Sequence, residues 1–336
     1  MLKRVVELSL RFRGVVIALA CLLAGYGLFV AGRAKLDVFP EFVPPQVTVQ
    51  TEAPGLASEQ VEVLAAEADQ LGAMVDTEFG VPGAAATAAA TSTGSGNLAA
   101  PPAVGAAPPA FWGRLRVVPG GPRPVYHRDV TIQGDTARVE HDVTFTGLFL
   151  VDTTADGVFN PTAKPLADRM TQRAVLVRDR AEPRGWRAVQ VSPQDWTVVD
   201  ASRQTVTVSD VKVYRNDTLL IEVTDPTELF DVTNRIPRFH VDDTVKVVAA
   251  VTNTTRSGLT PASFVFLHVR HADRLGTTWR RIPMADNGDG TYERSWIARR
   301  SGIDRFVVDA LDSATLLLGR ADNYRTNEVG IPYRIE

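Results

Sequence analysis

The chain has 336 residues, of which 45% are hydrophobic and 22% charged, and its formal net charge at pH 7 is -3. These averages exclude a collagen-like or fully disordered chain, and the slight negative charge gives no support to a nucleic-acid-binding protein. The single cysteine, Cys21, excludes a disulfide framework and a thiolate zinc site built within one chain. The length also excludes a transporter with a dozen membrane spans, because each span needs about 20 apolar residues.

An uncharged apolar segment occupies residues 14–32. Its length fits a transmembrane helix and exceeds the apolar core of most signal peptides, which is about 7–15 residues long. Basic residues precede it within residues 1–13, which we expect to form an interfacial segment on the cytoplasmic side. The sequence therefore predicts a protein of the bacterial inner membrane, with a cytoplasmic N-terminus, the bulk of the chain periplasmic or extracytoplasmic, and the lipid bilayer as a partner.

Two alternatives to a retained anchor stay open. A cleaved signal peptide would use a small-x-small site such as residues 30–32 or 32–34, and a lipoprotein would be cut before Cys21. The apolar run continues past Cys21, which disfavours the lipoprotein. Either alternative would make the chain a secreted or lipid-anchored periplasmic binding module.

Residues 33–75 open with three short motifs. They are Asp37-Val38-Phe39-Pro40-Glu41, Val49-Gln50-Thr51-Glu52-Ala53-Pro54-Gly55 and Glu59-Gln60-Val61-Glu62. Residues 46–51 alternate as in a half-buried strand, and Ser58 is a candidate N-cap for a helix whose first turn carries Glu59 and Glu62.

Residues 1–65 resemble the N-terminus of the resistance–nodulation–division (RND) heavy-metal efflux permeases, in which the first transmembrane span leads into a strand and helix of the porter domain. The residues that carry the resemblance are Asp37, Phe39, Pro40, Glu41, Pro54, Gly55, Glu59, Val61 and Glu62. The resemblance implies that residues 33–75 are a porter-like fragment, and that an RND permease or another envelope protein is a partner. No later segment is long and apolar enough for a second span, so the truncated N-terminus does not predict an autonomous transporter.

Residues 80–110 contain no charged side chain and consist mainly of Ala, Gly, Pro, Ser and Thr. Such a segment buries too little apolar surface to offset the entropy of ordering it. We therefore predict a disordered, low-complexity linker over residues 76–122.

From residue 123 onward, short β-branched runs alternate with turn residues, which predicts an all-β domain over residues 123–230. A second predicted β domain covers residues 236–336, with a turn at residues 286–290, and resembles a bacterial immunoglobulin-like sandwich. Its candidate strands are 244–252, 263–271, 278–283, 291–298, 303–310 and 313–318. The predicted fold class is mainly β, with one N-terminal transmembrane helix, a low-complexity linker and two β-sandwich-like domains, the last of them immunoglobulin-like.

The metal-site candidates are weak. Asp152, Thr154 and Asp156 have the alternating oxygen ligands of a calcium loop, but Ala163 stands where the bidentate acid belongs, which favours a polar loop. His268 and His271 are not expected to bind a metal ion together, because residues three apart fall on opposite faces of one predicted strand. Asp309 and Asp312 are expected to serve a turn near the end of a strand.

No motif for nucleophilic catalysis, phosphate binding or paired histidine ligands is found in the sequence. The chain is therefore predicted not to be an enzyme, to need no cofactor and to have no nucleic-acid partner. The function that we expect is a binding or assembly role for membrane-anchored extracytoplasmic β domains. The alternative is an accessory or fusion component of an RND heavy-metal efflux system.

Overall fold

Strands form about two thirds of the part of the chain that the structure describes. The computed structural model describes residues 111–116, 121–153, 160–255, 257–273, 276–299, 301–318 and 323–336. Strands β1 to β9 are Phe111–Leu115, Val125–Gln133, Thr136–Asp152, Thr162–Arg178, Trp186–Val191, Gln194–Val198, Val206–Arg215, Thr218–Val223 and Phe230–Asp231. Strands β10 to β17 are Arg238–Phe239, Thr244–Asn253, Ser263–Asp273, Gly276–Pro283, Ala285–Asp286, Thr291–Ile297, Gly302–Asp312 and Thr326–Ile335.

Helical structure is short in these ranges. Helix α1, Ser313–Leu317, joins β16 to β17, and a single 3-10 turn covers Ala201–Arg203. Within the described ranges, no helix combines the length and the apolar character that crossing a bilayer requires. The predicted span at 14–32, the interfacial segment 1–13 and the porter-like fragment 33–75 all lie outside the described residues.

The strands are arranged in two sheets. The larger sheet has the order β1-β3-β4-β6-β17-β16-β12-β13, with β2 added to β3, β5 to β4, β9 to β5 and β10 to β17. The smaller sheet has the order β14-β15-β11-β7-β8. The pairing is antiparallel apart from the short parallel pair of β10 with β17, as is usual for strands joined by hairpins.

An apolar core fills the space between the sheets, and period-two alternation explains why. Along β11, Val245, Val247 and Ala249 are buried, whereas the residues between them are only partly covered. They belong to the same core cluster as Phe306 and Ile331 of the larger sheet. The predicted mainly-β, sandwich-like fold is therefore confirmed at this level.

Hydrogen bonds cross the predicted domain boundary at residues 230–236 in both sheets. In the larger sheet, β6 pairs with β17 from Thr197↔Asn327 to Gln194↔Gly330. In the smaller sheet, β7 pairs along its length with β11. Strands from the predicted 123–230 and 236–336 domains thus complete each other's sheets, a non-local pairing that periodicity alone does not specify.

Five of the six strand candidates in residues 236–336 coincide with β11, β12, β13, β15 and β16. The sixth, 313–318, is wrong, because the chain forms helix α1 there. Asp312 has extended backbone angles and its side chain accepts a 2.7 Å hydrogen bond from the Ala314 amide, which caps the helix. The capping acid outweighs the strand preference of the short apolar run.

Strand β1 lies within residues 76–122, the range predicted as a linker. It pairs antiparallel with β3 in five positions, from Phe111↔Asp152 to Leu115↔Leu148. Gly147 permits this approach, because a Cβ at that position would lie 1.9 Å from the Leu115 carbonyl oxygen. The ordered chain therefore includes residues 111–116, and the remainder of the predicted linker up to residue 110 lies outside the described residues.

Candidate functional site

A cleft of about 470 Å³ opens between the two sheets at the β13 edge of the larger one. Strands β12, β13, β16 and β17 of the larger sheet and β15 of the smaller sheet provide most of its walls. Its lining residues are Val269, Arg270, Arg280, Ile282, Arg294, Ser295, Trp296, Ile297, Arg299, Ser301, Gly302, Ile303, Asp304, Tyr333 and Ile335. We refer to this site as the cleft.

The lining of the cleft is strongly cationic, with four arginines against one carboxylate, Asp304. Asp304 lies 3.6 Å from the Arg270 guanidinium, and Arg299 forms an exposed ion pair of 2.9 Å with Asp242. Arg280 and Arg294 are exposed and make no ion pair with a described carboxylate. In a chain whose net charge is negative, this concentration of guanidinium groups creates a local site for anions.

The floor of the cleft is aromatic. The Trp296 and Tyr333 ring centroids are 6.3 Å apart, and each ring also contacts buried Phe306. Burial raises the pKa of Tyr333, so its hydroxyl stays neutral at physiological pH. Ile297 and Ile303 are each 38% exposed at the cleft, which adds apolar surface beside the arginines. The lining of the cleft therefore combines aromatic rings with guanidinium groups, which can donate bidentate hydrogen bonds.

A second polar feature is buried beneath β1. Arg114 donates two parallel hydrogen bonds to the carboxylate of Asp309, with N···O distances of 2.6 and 2.8 Å. It also donates to Thr326 Oγ1 at 2.8 Å and to the Tyr324 hydroxyl at 2.9 Å. All four side chains are nearly inaccessible to solvent. The fork-to-fork geometry is the strongest form of an arginine–carboxylate contact.

Arg116, two residues further along β1, also binds buried carboxylates. Its Nε donates to Asp168 Oδ2 at 2.9 Å, and its Nη2 forms an ion pair with Glu328. The guanidinium carbon also lies 4.1 Å from the centroid of the Trp196 ring. Asp168 and Glu328 come from β4 and β17, so β1 connects strands that do not neighbour it in the sheet.

The electrostatics of this network depend on the arginines of β1. Burial opposes the ionisation of Asp309, but Arg114 and a 3.0 Å hydrogen bond with His268 outweigh it, so the pKa of Asp309 lies well below its usual range. Burial raises the pKa of Asp168, and Arg116 only partly compensates. Ionised Asp309 is therefore a favourable member of the network, whereas ionisation of Asp168 is opposed by its burial.

Arg281 of β13 completes the enclosure of β1 from the far edge of the sheet. It donates to the Trp112 carbonyl oxygen at 3.0 Å, and its guanidinium carbon lies 3.6 Å from the Trp112 ring centroid. Burial lowers the pKa of Arg281 to about 10, which leaves it cationic at neutral pH. The two ends of the strand order, β1 and β13, are thus in direct contact.

The predicted calcium loop is described only in part. Asp152 ends β3, is buried and accepts a 3.2 Å hydrogen bond from the Asn160 amide, whereas Thr154 and Asp156 lie outside the described residues. Among the residues that are described, no three His, Cys, Asp or Glu side chains are grouped to hold a metal ion. The calcium site stays a prediction, as do the efflux-motif residues between Asp37 and Glu62, which also lie outside the described ranges.

The expectation that Asp309 serves a turn is wrong, because this residue lies inside β16 and its carboxylate is fully buried against Arg114. Sequence reasoning also missed the arginines of β1. The signal that could have found them is the alternation of Trp112, Arg114 and Arg116, which places all three on one face of a strand. Each arginine of the cleft lies on a different segment, so their convergence has no local sequence signal.

No protein-family model, curated protein or solved structure matches this chain. Arg280 and Arg294 of the cleft are exposed and have no carboxylate partner among the described residues. The acids below β1 are instead buried and bound to Arg114 and Arg116, although Asp168 Oδ1 has no described hydrogen-bond partner. The cleft is accordingly the better candidate for binding a small ligand.

Proposed function

We propose that this chain is a membrane-anchored extracytoplasmic β protein of the bacterial inner membrane, and that its β body binds an anionic ligand in the cleft. The observation that carries the proposal is the presence of Arg280 and Arg294, exposed and without a described carboxylate partner, beside an aromatic floor. The proposed role is binding, without a chemical step.

The chemistry of the lining defines the class of ligand. Guanidinium groups bind carboxylates, sulfonates and phosphates through parallel hydrogen bonds, and they hold their charge at any physiological pH. Trp296 and Tyr333 favour a flat or apolar body between the anionic groups. We therefore expect a ligand with more than one acidic group attached to an apolar or aromatic frame.

Benzene-1,3-disulfonate is a suitable probe, and isothermal titration of the full chain in detergent measures its binding. We expect the Arg280→Ala/Arg294→Ala variant to lose about tenfold to a hundredfold in affinity, since each charged hydrogen bond contributes about 1.5–3 kcal/mol before solvent screening. Binding by the unaltered chain should also weaken as salt is added.

Two controls make this titration specific. Arg138→Ala/Arg173→Ala removes two exposed arginines from β3 and β4, away from the cleft, and should leave affinity unchanged. Neutral benzene-1,3-dimethanol should bind at least tenfold more weakly than the disulfonate. Equal affinity for the two probes, or equal losses in the two double variants, would contradict an anion site in the cleft.

The competing proposal is an accessory or fusion component of an RND heavy-metal efflux system. It is supported by the motif residues within 1–65, for instance Asp37, Pro40 and Gly55, which resemble the permease N-terminus. Co-purification from detergent separates the two roles. An RND permease recovered with the full chain would favour the efflux component, and its absence would remove that proposal.

The membrane anchor is tested independently of the ligand. If residues 14–32 are a retained span, alkaline carbonate should leave the full-length chain in the membrane fraction. Release of the chain, or a mature N-terminus beyond residue 30, would instead favour the secreted or lipid-anchored binding module.

A further inference from the structure

The site occupied by β1 is built by strands that come later in the chain. We define the β1 groove by its three acids, Asp168, Asp309 and Glu328, and by the aromatic rings of Phe149 and Phe266. These residues lie on β3, β4, β12, β16 and β17. All of the residues that define the groove come from strands other than β1. The β1 groove is therefore a binding site for a strand, and it is not formed by a local hairpin.

Strand β1 matches this groove at every second position. Trp112 stacks on Phe149 at a centroid distance of 5.6 Å, and Arg114 and Arg116 place their guanidinium groups between the three acids. The main chain of β1 adds to the edge of β3 through a five-position ladder. Edge-strand addition with pockets for alternate side chains is a general mode of peptide recognition.

The strand that fits the groove is encoded in every copy of the chain. In the register on β3, Leu115 faces Leu148 and Val125 faces Thr144, so three residues of β3, 145–147, separate β1 from β2. Arg116 is itself held in the groove, and the connection from it to β2 uses residues 117–124, more chain than this gap requires. The side chains of β1 and its pairing with β3 therefore determine where β1 binds. The connection is long enough that it does not force β1 to pair with β3 of the same chain.

From these three features we propose that the β1 groove also accepts β1 of a second copy of this chain, which gives a dimer with reciprocally exchanged β1 strands. The exchanged strand makes the same ladder with β3 and the same two arginine contacts as the strand within one chain. Exchange of an identical element creates a dimer without requiring any new interface chemistry.

An intermolecular disulfide tests the exchange directly in the full chain with Cys21→Ser as background. One form carries Leu115→Cys and the other Leu148→Cys, positions that are partners in the β1–β3 ladder. Mixing the two forms, warming them close to the unfolding midpoint and cooling them at high concentration should yield a disulfide-linked dimer. The yield should rise with protein concentration, because exchange is bimolecular.

The matched control places cysteines at Thr131 and Arg138, which are partners between β2 and β3. Because β2 is not part of the proposed exchange, Thr131→Cys mixed with Arg138→Cys should give less than a tenth of that dimer. A chain carrying both Leu115→Cys and Leu148→Cys should close its own disulfide at low concentration and then stay monomeric.

If that chain closes its disulfide while the mixed forms give no more linked dimer than the control, exchange is overturned. If the chain with both cysteines does not close its disulfide, the particle mass of the unaltered protein after the same warming tests the exchange instead. A dimer fraction that rises with concentration, and falls when Trp112→Ala weakens β1, supports exchange. A particle mass that corresponds to a monomer at every concentration overturns it.

Discussion

Replacing Asp309 by asparagine is expected to lower the free energy of unfolding by about 3–5 kcal/mol at neutral pH. The substitution keeps the size of the side chain but removes the charge that Arg114 holds at 2.6 and 2.8 Å. Both residues are buried, so Arg114 would lose its bidentate carboxylate partner away from water and keep only Glu328, whose Oε1 lies 3.3 Å from its Nε. Urea unfolding of the full chain in a fixed detergent, followed by tryptophan fluorescence, measures the loss.

The control is Asp129→Asn, because Asp129 is an exposed acid on β2. This variant should stay within about 0.5 kcal/mol of the unaltered chain, as surface substitutions usually do. A loss below about 1 kcal/mol for Asp309→Asn would mean that Arg114 does not depend on this carboxylate.

The effect of Asp309→Asn should also depend on pH in one direction. The pKa of Asp309 in the folded chain is lowered, so the stability that it contributes is present above its unfolded pKa, about 3.9, and declines as pH falls toward the lower folded value. Between about pH 4 and pH 2 the unaltered chain should therefore lose up to about 1.4 kcal/mol per pH unit that the variant does not lose. A gap that widens in acid would contradict this assignment.

Replacing Trp112 by alanine is expected to cost about 3–5 kcal/mol. Trp112 is 4% exposed, its ring lies 5.0 Å from that of Phe266, and Arg281 covers its face. The substitution leaves a cavity in the buried apolar cluster that Trp112 forms with Phe149 and Phe266, and it removes the apolar contact that holds β1 in place.

The same urea measurement on Val125→Ala provides the control, because Val125 is 65% exposed at the start of β2. We expect a change of less than about 0.5 kcal/mol there. If Trp112→Ala changed the free energy of unfolding as little as Val125→Ala, the Trp112 side chain would not be what holds β1 against the rest of the protein.

Local signals in the sequence predicted five strands of the C-terminal third, β11, β12, β13, β15 and β16, and the turn at 286–290, but not β10, β14 or β17. Alternation across 244–252 predicted β11 because one face of that strand is buried against the opposite sheet. The turn at 286–290 forms because Asp286 and Asp289 accept hydrogen bonds from backbone amides two residues on, and Gly288 and Gly290 have positive φ. Such features depend on neighbours in the chain and are visible without a structure.

The partners of the strands and both polar sites required the structure. Strand β1 has only five residues and follows an uncharged Ala-, Gly- and Pro-rich segment, so composition placed it in the linker. Its arginines meet Asp309 and Glu328 across about 200 residues of sequence, a distance over which a single sequence contains no pairing information. The expected turn role of Asp309 failed for the same reason.

Strand β1 belongs to the folded body and neutralises its buried acids. Hydrogen exchange of the unaltered full chain, read by mass spectrometry on peptides that cover residues 111–116, tests it most directly. Because the Arg114 contacts are buried and the strand is paired with β3, we expect these amides to exchange at least about a hundredfold more slowly than those of residues 80–110. Exchange of residues 111–116 at the rate of residues 80–110 would contradict it.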